Sequence, residues 1–173
     1  MRKSQIILRT LSGGAKRGWL EFGPLRWPCA LGRGGLSSRK REGDGSTPRG
    51  RFRLLYGLRR FDKFALLGTS VRLMRITPDL GWCDAPSDGN YNRIVCHPYR
   101  ASAERLWRDD DLYDCVIVLD YNVKPRVRDR GSAIFLHIAR EDFSPTEGCV
   151  ALRKRDLRSL LARVRSTTQL VIS

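Results

Sequence analysis

Histidine is the scarcest chemistry-bearing residue in this chain. Only His97 and His137 occur in 173 residues, and they lie forty positions apart. No Cys-x-x-Cys pair accompanies them among the five cysteines, Cys29, Cys83, Cys96, Cys115 and Cys149. The spacing of a zinc site is therefore absent. An odd cysteine count leaves at least one thiol unpaired, and a chain this long needs no disulfide framework. No apolar run approaches the roughly 18 residues that cross a bilayer, so no transmembrane segment is expected. The first apolar piece, Ile6-Ile7-Leu8, is broken by Arg9 and is too short for a signal-peptide core. On that reading the chain is already mature, exported by another route, or retained inside. Repeats and low-complexity tracts are also missing.

Lysine is nearly absent from a very basic chain. Of 33 basic residues only 6 are lysine and 27 are arginine, against 18 acids, for a net charge of +15. Arginine suits bidentate pairing with carboxylates and phosphates. Such a chain is drawn to polyanions: nucleic acid, anionic lipid or an acidic wall polymer. The charge is spread along the sequence, no nucleic-acid motif occurs, and the basic residues are not interleaved with stacking aromatics. No specific nucleic acid is therefore expected, although a non-catalytic basic wall- or nucleic-acid-binding module stays open. Length and a hydrophobic content of 41% fit one globular domain over residues 1–173.

The informative stretch is Gly131 to Leu152, which holds His137 and, directly after a glycine, Cys149. Ser132 to Ala139 reads as a strand, with Ile134, Leu136 and Ile138 on one face and Phe135, His137 and Ala139 on the other. A polar loop follows, re-entering apolar sequence at Gly148-Cys149-Val150. A histidine within reach of a cysteine can take the thiol proton and later return it to a leaving amine. The Gly148 and Cys149 amides can point at a developing oxyanion. The plainer reading is a buried thiol and a satisfied histidine.

Two motifs in order raise the first reading. His137…Thr146-Glu147-Gly148-Cys149 resembles the catalytic signature of the L,D-transpeptidase (YkuD-type) domain. Upstream, Arg41-Glu42-Gly43-Asp44-Gly45-Ser46-Thr47-Pro48-Arg49-Gly50-Arg51-Phe52 resembles that family's entry motif, Gly-x-x-x-Thr-Pro-x-Gly-x-Phe. Three positions differ from the family pattern: Ile138 stands for the common Gly after the histidine, Ala151 for an Arg two past the cysteine, and Glu147 for a second His. The resemblance implies a mainly β fold with some α, a mixed β-sandwich or barrel carrying one helix on the C-terminal side. It implies a cysteine acyltransferase of peptidoglycan biosynthesis and cell shape. Cys149 would form a thioester with a stem peptide, and His137 would act as general base and acid, with the Ile138 carbonyl as its orienting partner. An amine of a second stem would accept the acyl group, with no metal or other cofactor. By the same resemblance the partners are peptidoglycan stem peptides and carbapenem-type inhibitors, and the place is the periplasm or cell envelope. A cysteine-dependent L,D-carboxypeptidase or endopeptidase is the enzyme alternative. Oligomeric state is not legible.

Several further expectations come from local pattern. Residues 4–11 and 18–23 read as strands, Pro24 to Gly35 as irregular, and Phe52, Leu54 and Tyr56 as one strand face. Residues 64–76 read as one or two strands, Ser102 to Trp107 as a short helix capped by Ser102, and Cys115 to Val123 as a central strand. Trp82 to Asn92 reads as a substrate rim, which places Tyr91 and Asn92 with Thr146 among the substrate-binding candidates. His97 reads as structural or as part of that wall. Leu157, Leu160, Leu161 and Val164 mark the clearest helix, and Gln169 to Ile172 a last strand. Arg153, Lys154 and Arg155 oppose the helix dipole at its start. Arg153 or Arg155 is therefore the candidate to bind a substrate carboxylate in place of the missing Arg.

Overall fold

The computed structural model of the chain describes residues 4–65 and 68–173. In order, its strands are β1 (Gln5–Arg9), β2 (Arg17–Phe22), β3 (Leu25–Ala30), β4 (Leu36–Ser37), β5 (Thr47–Pro48), β6 (Gly50–Arg59) and β7 (Leu73–Arg75). They continue with β8 (Leu80–Cys83), β9 (Arg93–Cys96), β10 (Ala103–Arg105), β11 (Cys115–Leu119), β12 (Phe135–Ile138), β13 (Val150–Leu152) and β14 (Gln169–Ile172). One helix, α1, spans Lys154–Leu161, and a 3-10 turn covers Asp111–Tyr113. The large sheet runs β11-β12-β13-β3-β2-β1-β14-β6-β7. Because β6 also pairs with β11, the sheet closes on itself as a barrel. Closure leaves few free edges to manage.

The strands around the site are buried on both faces, which explains their continuous apolar composition. On β11, Cys115, Ile117 and Leu119 join one apolar cluster, while Val116 and Val118 join a second. On and before β12, Ile134, Leu136 and Ile138 enter the first cluster and Phe135 the second. The expected alternation is therefore present. The strand is shorter than expected, because Gly131 and Ala133 both have left-handed φ (+96° and +51°) and Ser132 to Ile134 stay outside the ladder. Helix α1 adds Leu157, Leu160 and Leu161 to the first cluster.

Three other expectations are corrected. Leu25–Ala30 is a regular strand in a hairpin with β2, with Pro28 opposite Trp19 and exposed. The missing N–H of Pro28 is tolerated because β13 pairs with β3 only at Cys29 and Ala30. Ser102 to Trp107 is not a helix: Ala103–Arg105 pairs antiparallel with Gly81–Cys83, and this ladder overrides the local capping pattern. Within residues 64–76 only Leu73–Arg75 is strand, parallel to β6, and residues 66 and 67 lie outside those described.

The basic start of α1 is compensated by tertiary partners. Lys154 Nζ bonds the buried Asp114 carboxylate at 2.8 Å, and Arg155 pairs with Asp156 at 3.5 Å.

Candidate active site

Strands β12 and β13 run parallel, with Leu136 opposite Val150, His137 opposite Ala151 and Ile138 opposite Leu152. Extending that register one residue back sets Cys149 beside Phe135. Side chains alternate along a strand, so residues 135, 137, 149 and 151 share one face. Cys149 and His137 accordingly line the same cavity, of about 550 Å³.

The sulfur is held by backbone. Cys149 Sγ donates to the Ala133 carbonyl at 3.1 Å and accepts from the Phe135 N–H at 3.4 Å. Burial pushes its pKa up to about 12, with the nearby Glu104 adding to the shift and the Phe135 amide and Lys40 opposing it. His137 Nδ1 lies 2.9 Å from the Ile138 carbonyl. A carbonyl accepts only, so Nδ1 carries the proton and Nε2 is left as the basic nitrogen. Burial, partly offset by the carbonyls of Ile138 and Leu112, lowers the imidazole pKa to about 4. The resting pair is therefore neutral thiol and neutral imidazole. Cys29 and Cys115 are pushed to about 12 by the same burial. What sets Cys149 apart is its place on the cavity wall, not its acidity.

This burial has a consequence for stability. The unfolded histidine takes a proton near 6.5, whereas the folded one resists until about 4. The unfolded chain binds more protons in that window, so stability falls as pH drops from 6.5 towards 4, by up to roughly 3 kcal/mol. Urea titrations of wild type and His137→Phe should diverge in their pH slope in that interval and run parallel above it.

Tyr113, which the sequence did not flag, packs its edge on His137 at a centroid distance of 5.1 Å and donates to Glu104 Oε1 at 2.7 Å. Burial raises the pKa of Glu104 in turn. Thr146 also lines the cavity. Its hydroxyl donates to the Cys149 carbonyl at 2.7 Å and accepts from Gly148 N–H at 3.2 Å. The Gly148 amide, expected to face an oxyanion, is thus already bonded. Gly148 itself has φ +131°, and a Cβ there would lie 2.8 Å from the Ser46 carbonyl. The upstream motif is what packs against the cysteine loop: Thr47 Oγ1 accepts from Gly32 N–H at 2.8 Å, and Gly32 bridges to Thr146.

Other candidates are placed differently. Asn92 is 2% exposed. Its Oδ1 accepts from Trp82 Nε1 at 2.9 Å and Ala133 N–H at 3.0 Å, and its Nδ2 donates to the Asn122 carbonyl at 2.8 Å. It ties strand β8 to the segments bearing Asn122 and Ala133, and its polar atoms are taken up there. Asn92→Ala would strand those buried groups and should cost about 3–5 kcal/mol, read as a lower urea midpoint. Tyr91 is buried with its hydroxyl donating to Glu42. Arg153 stacks on Phe143 and Arg155 pairs with Asp156, and neither lines the cavity. The arginines that do are Arg108, held bidentate by Asp110 at 2.7 Å, and Arg140. His97 is away from the cavity, packed so closely on Gly81 that a Cβ there would sit 2.5 Å from its Nε2.

Although the chain is strongly cationic, the cavity is not. Glu42, Asp84, Glu104 and Glu147 line it against Arg108 and Arg140. Asp84 Oδ1 and Ser132 Oγ, both on residues of its wall, are buried without a hydrogen-bond partner among the described residues. The whole-chain charge thus misleads about the group this cavity prefers.

No helix among the described residues is long and apolar enough to cross a membrane. No curated protein and no solved structure matches the chain. The family pattern of the L,D-transpeptidase catalytic domain (YkuD) matches residues 21–172. That span takes in the barrel strands from β3 to β14 with the end of β2, the Thr47-Pro48 segment and the cavity with Cys149 and His137, and the chain belongs to the L,D-transpeptidase catalytic-domain family.

Proposed function

We propose that the protein is a peptidoglycan L,D-transpeptidase acting at the cell envelope, with Cys149 as nucleophile and His137 as general base and acid. The observation that supports this most is the register of β12 and β13, which sets thiol and imidazole on one wall of one cavity. With both groups neutral at rest, proton transfer accompanies attack. The thiol leaves the Ala133 carbonyl, its proton passes to His137 Nε2, and sulfur bonds to the carbonyl carbon of a donor stem peptide beside a diaminopimelate residue. The Cys149 amide is the candidate donor to the oxyanion. The C–N bond then breaks, and the imidazolium returns its proton to the departing terminal D-amino acid. An amine of a second stem attacks the thioester and its proton passes to His137. The sulfur leaves and is reprotonated, giving a cross-linked dimer and the starting enzyme.

The acids of the lining favour an acceptor that enters as an ammonium, which gives up one proton to solvent before the neutral amine attacks the thioester. Incubating the protein with purified disaccharide-tetrapeptides and weighing the products tests the reading. Cross-linked dimers are expected. Shortened monomers alone would establish the hydrolase instead, and unchanged substrate would remove both. A carbapenem should leave a stoichiometric adduct on Cys149 by the same attack.

A further inference from the structure

We infer that a second concavity, next to the catalytic one, is an anion site that holds the carboxylates of the acceptor peptide. This rests on the transpeptidase reading. The concavity measures about 750 Å³ and shares Glu42 with the catalytic cavity. Five cations line it: Arg39, Lys40, Arg41, Arg128 and Arg130. Among the described residues none of the four arginines makes a salt bridge. Asp129 is the other acid on the lining, and it likewise has no such partner.

The site is built rather than incidental. Lys40 forms part of its lining with a side chain only 3% exposed. Its ammonium donates to Asp44 at 2.9 Å and the Arg41 carbonyl at 3.3 Å and faces the cysteine loop, where a Cβ on Gly148 would lie 3.3 Å from Nζ, so this lysine braces the shelf from behind. A Cβ on Gly131 would lie 2.8 Å from Lys40 Cε, so the lysine stem fills the space that glycine leaves. The arginine-bearing loop is fixed through its backbone. Asn122 accepts from Val127 N–H at 2.8 Å and donates to the carbonyls of Val127 and Gly131 at 2.9 and 2.8 Å. Tyr121 donates to the Arg130 carbonyl. Glu42 N–H donates to the Asp129 carbonyl at 2.9 Å, which clamps this loop to the segment bearing Arg39 and Arg41.

Four exposed arginines without salt bridges, against Glu42 and Asp129, leave this hollow net positive, which favours an entering anion. Guanidinium groups match planar oxyanions such as carboxylates. The neighbouring cavity leans the other way, with four acids against Arg108 and Arg140, although Glu147 is paired with Arg33 at 2.8 Å. A peptide that carries a free amine and free carboxylates can bridge the two linings. The amine lies towards Cys149 and the carboxylates lie on the basic shelf. An acceptor stem peptide carries both kinds of group.

The test separates donor from acceptor steps. Arg128→Gln/Arg130→Gln should leave the rate of carbapenem adduct formation on Cys149 unchanged. Calorimetry on the Cys149→Ala background should show tetrapeptide acceptor binding weakened about tenfold or more, the scale of losing one charge-assisted contact. Amidating the acceptor carboxylates should cause the same loss, and the combination should cost no more than either alone. Unchanged acceptor affinity, indifference to amidation, or slower adduct formation would each overturn the inference. Inorganic phosphate outcompeting the peptide at equal concentration would overturn it too, since the site would then read phosphate. If wild type forms no adduct or dimer, the transpeptidase reading fails, and the calorimetric comparison still decides whether the shelf binds carboxylates.

Discussion

Cys149→Ala should abolish thioester formation, with turnover falling by about 10⁴-fold or more, as for loss of a covalent nucleophile. Intact-mass measurement after carbapenem or tetrapeptide exposure should show no adduct. Single Ala changes at Cys29, Cys83, Cys96 and Cys115 should leave the adduct in place, because none of them lines the cavity. Cys29, Cys83 and Cys115 are buried and Cys96 is exposed. The resting thiol adds a less intuitive result. Burial holds Cys149 as a thiol up to about pH 12, so a small alkylating agent should label Cys96 first. A nucleophile ionised at rest would give the reverse order. Labelling both wild type and Cys149→Ala, then digesting, reads the order directly.

His137→Gln should slow acylation by roughly 10²–10⁴-fold, the usual contribution of a positioned general base. Glutamine keeps a polar group but cannot take the thiol proton. The pH profile carries the sharper information. With the imidazole pKa near 4 and the thiol near 12, neither group of the free enzyme titrates between them. Acylation should therefore be level through neutrality and fall only towards pH 4, as Nε2 gains a proton and can no longer accept one. Two inflections between about 6 and 9 would instead mean an imidazolium–thiolate pair formed before substrate arrives. In the Gln variant the acid limb should vanish along with most of the rate.

Much of this site was legible in the sequence for a simple reason. The period-two pattern of residues 134–139 fixes which face His137 occupies, and Gly148-Cys149 lies at the start of the next apolar segment. Local pattern and tertiary environment agree there. They disagree at Ser102–Trp107, where a good N-cap and helix-forming residues lose to pairing with β8. Asn92 was misread because its partners, Trp82 on β8, Ala133 and Asn122, lie far from one another in the sequence. An exposed-looking Tyr-Asn-Arg string gives no hint that its amide is enclosed. Tyr113, Arg140 and Lys40 were missed for a related reason: each matters through a neighbour distant in sequence. The net charge misled most, since it sums a surface and says nothing about which sign faces inward.

The parallel ladder between β12 and β13 has a consequence for how such a chain can diversify. Thiol and imidazole are brought together by lateral hydrogen bonding, so the intervening segment has no duty to measure the distance between them. Its exposed tip at Glu141 and Asp142, anchored through Arg17 and Ser144 rather than through the reacting pair, can change in length or composition while thiol and imidazole keep their spacing. Specificity and chemistry can thus change independently in this scaffold.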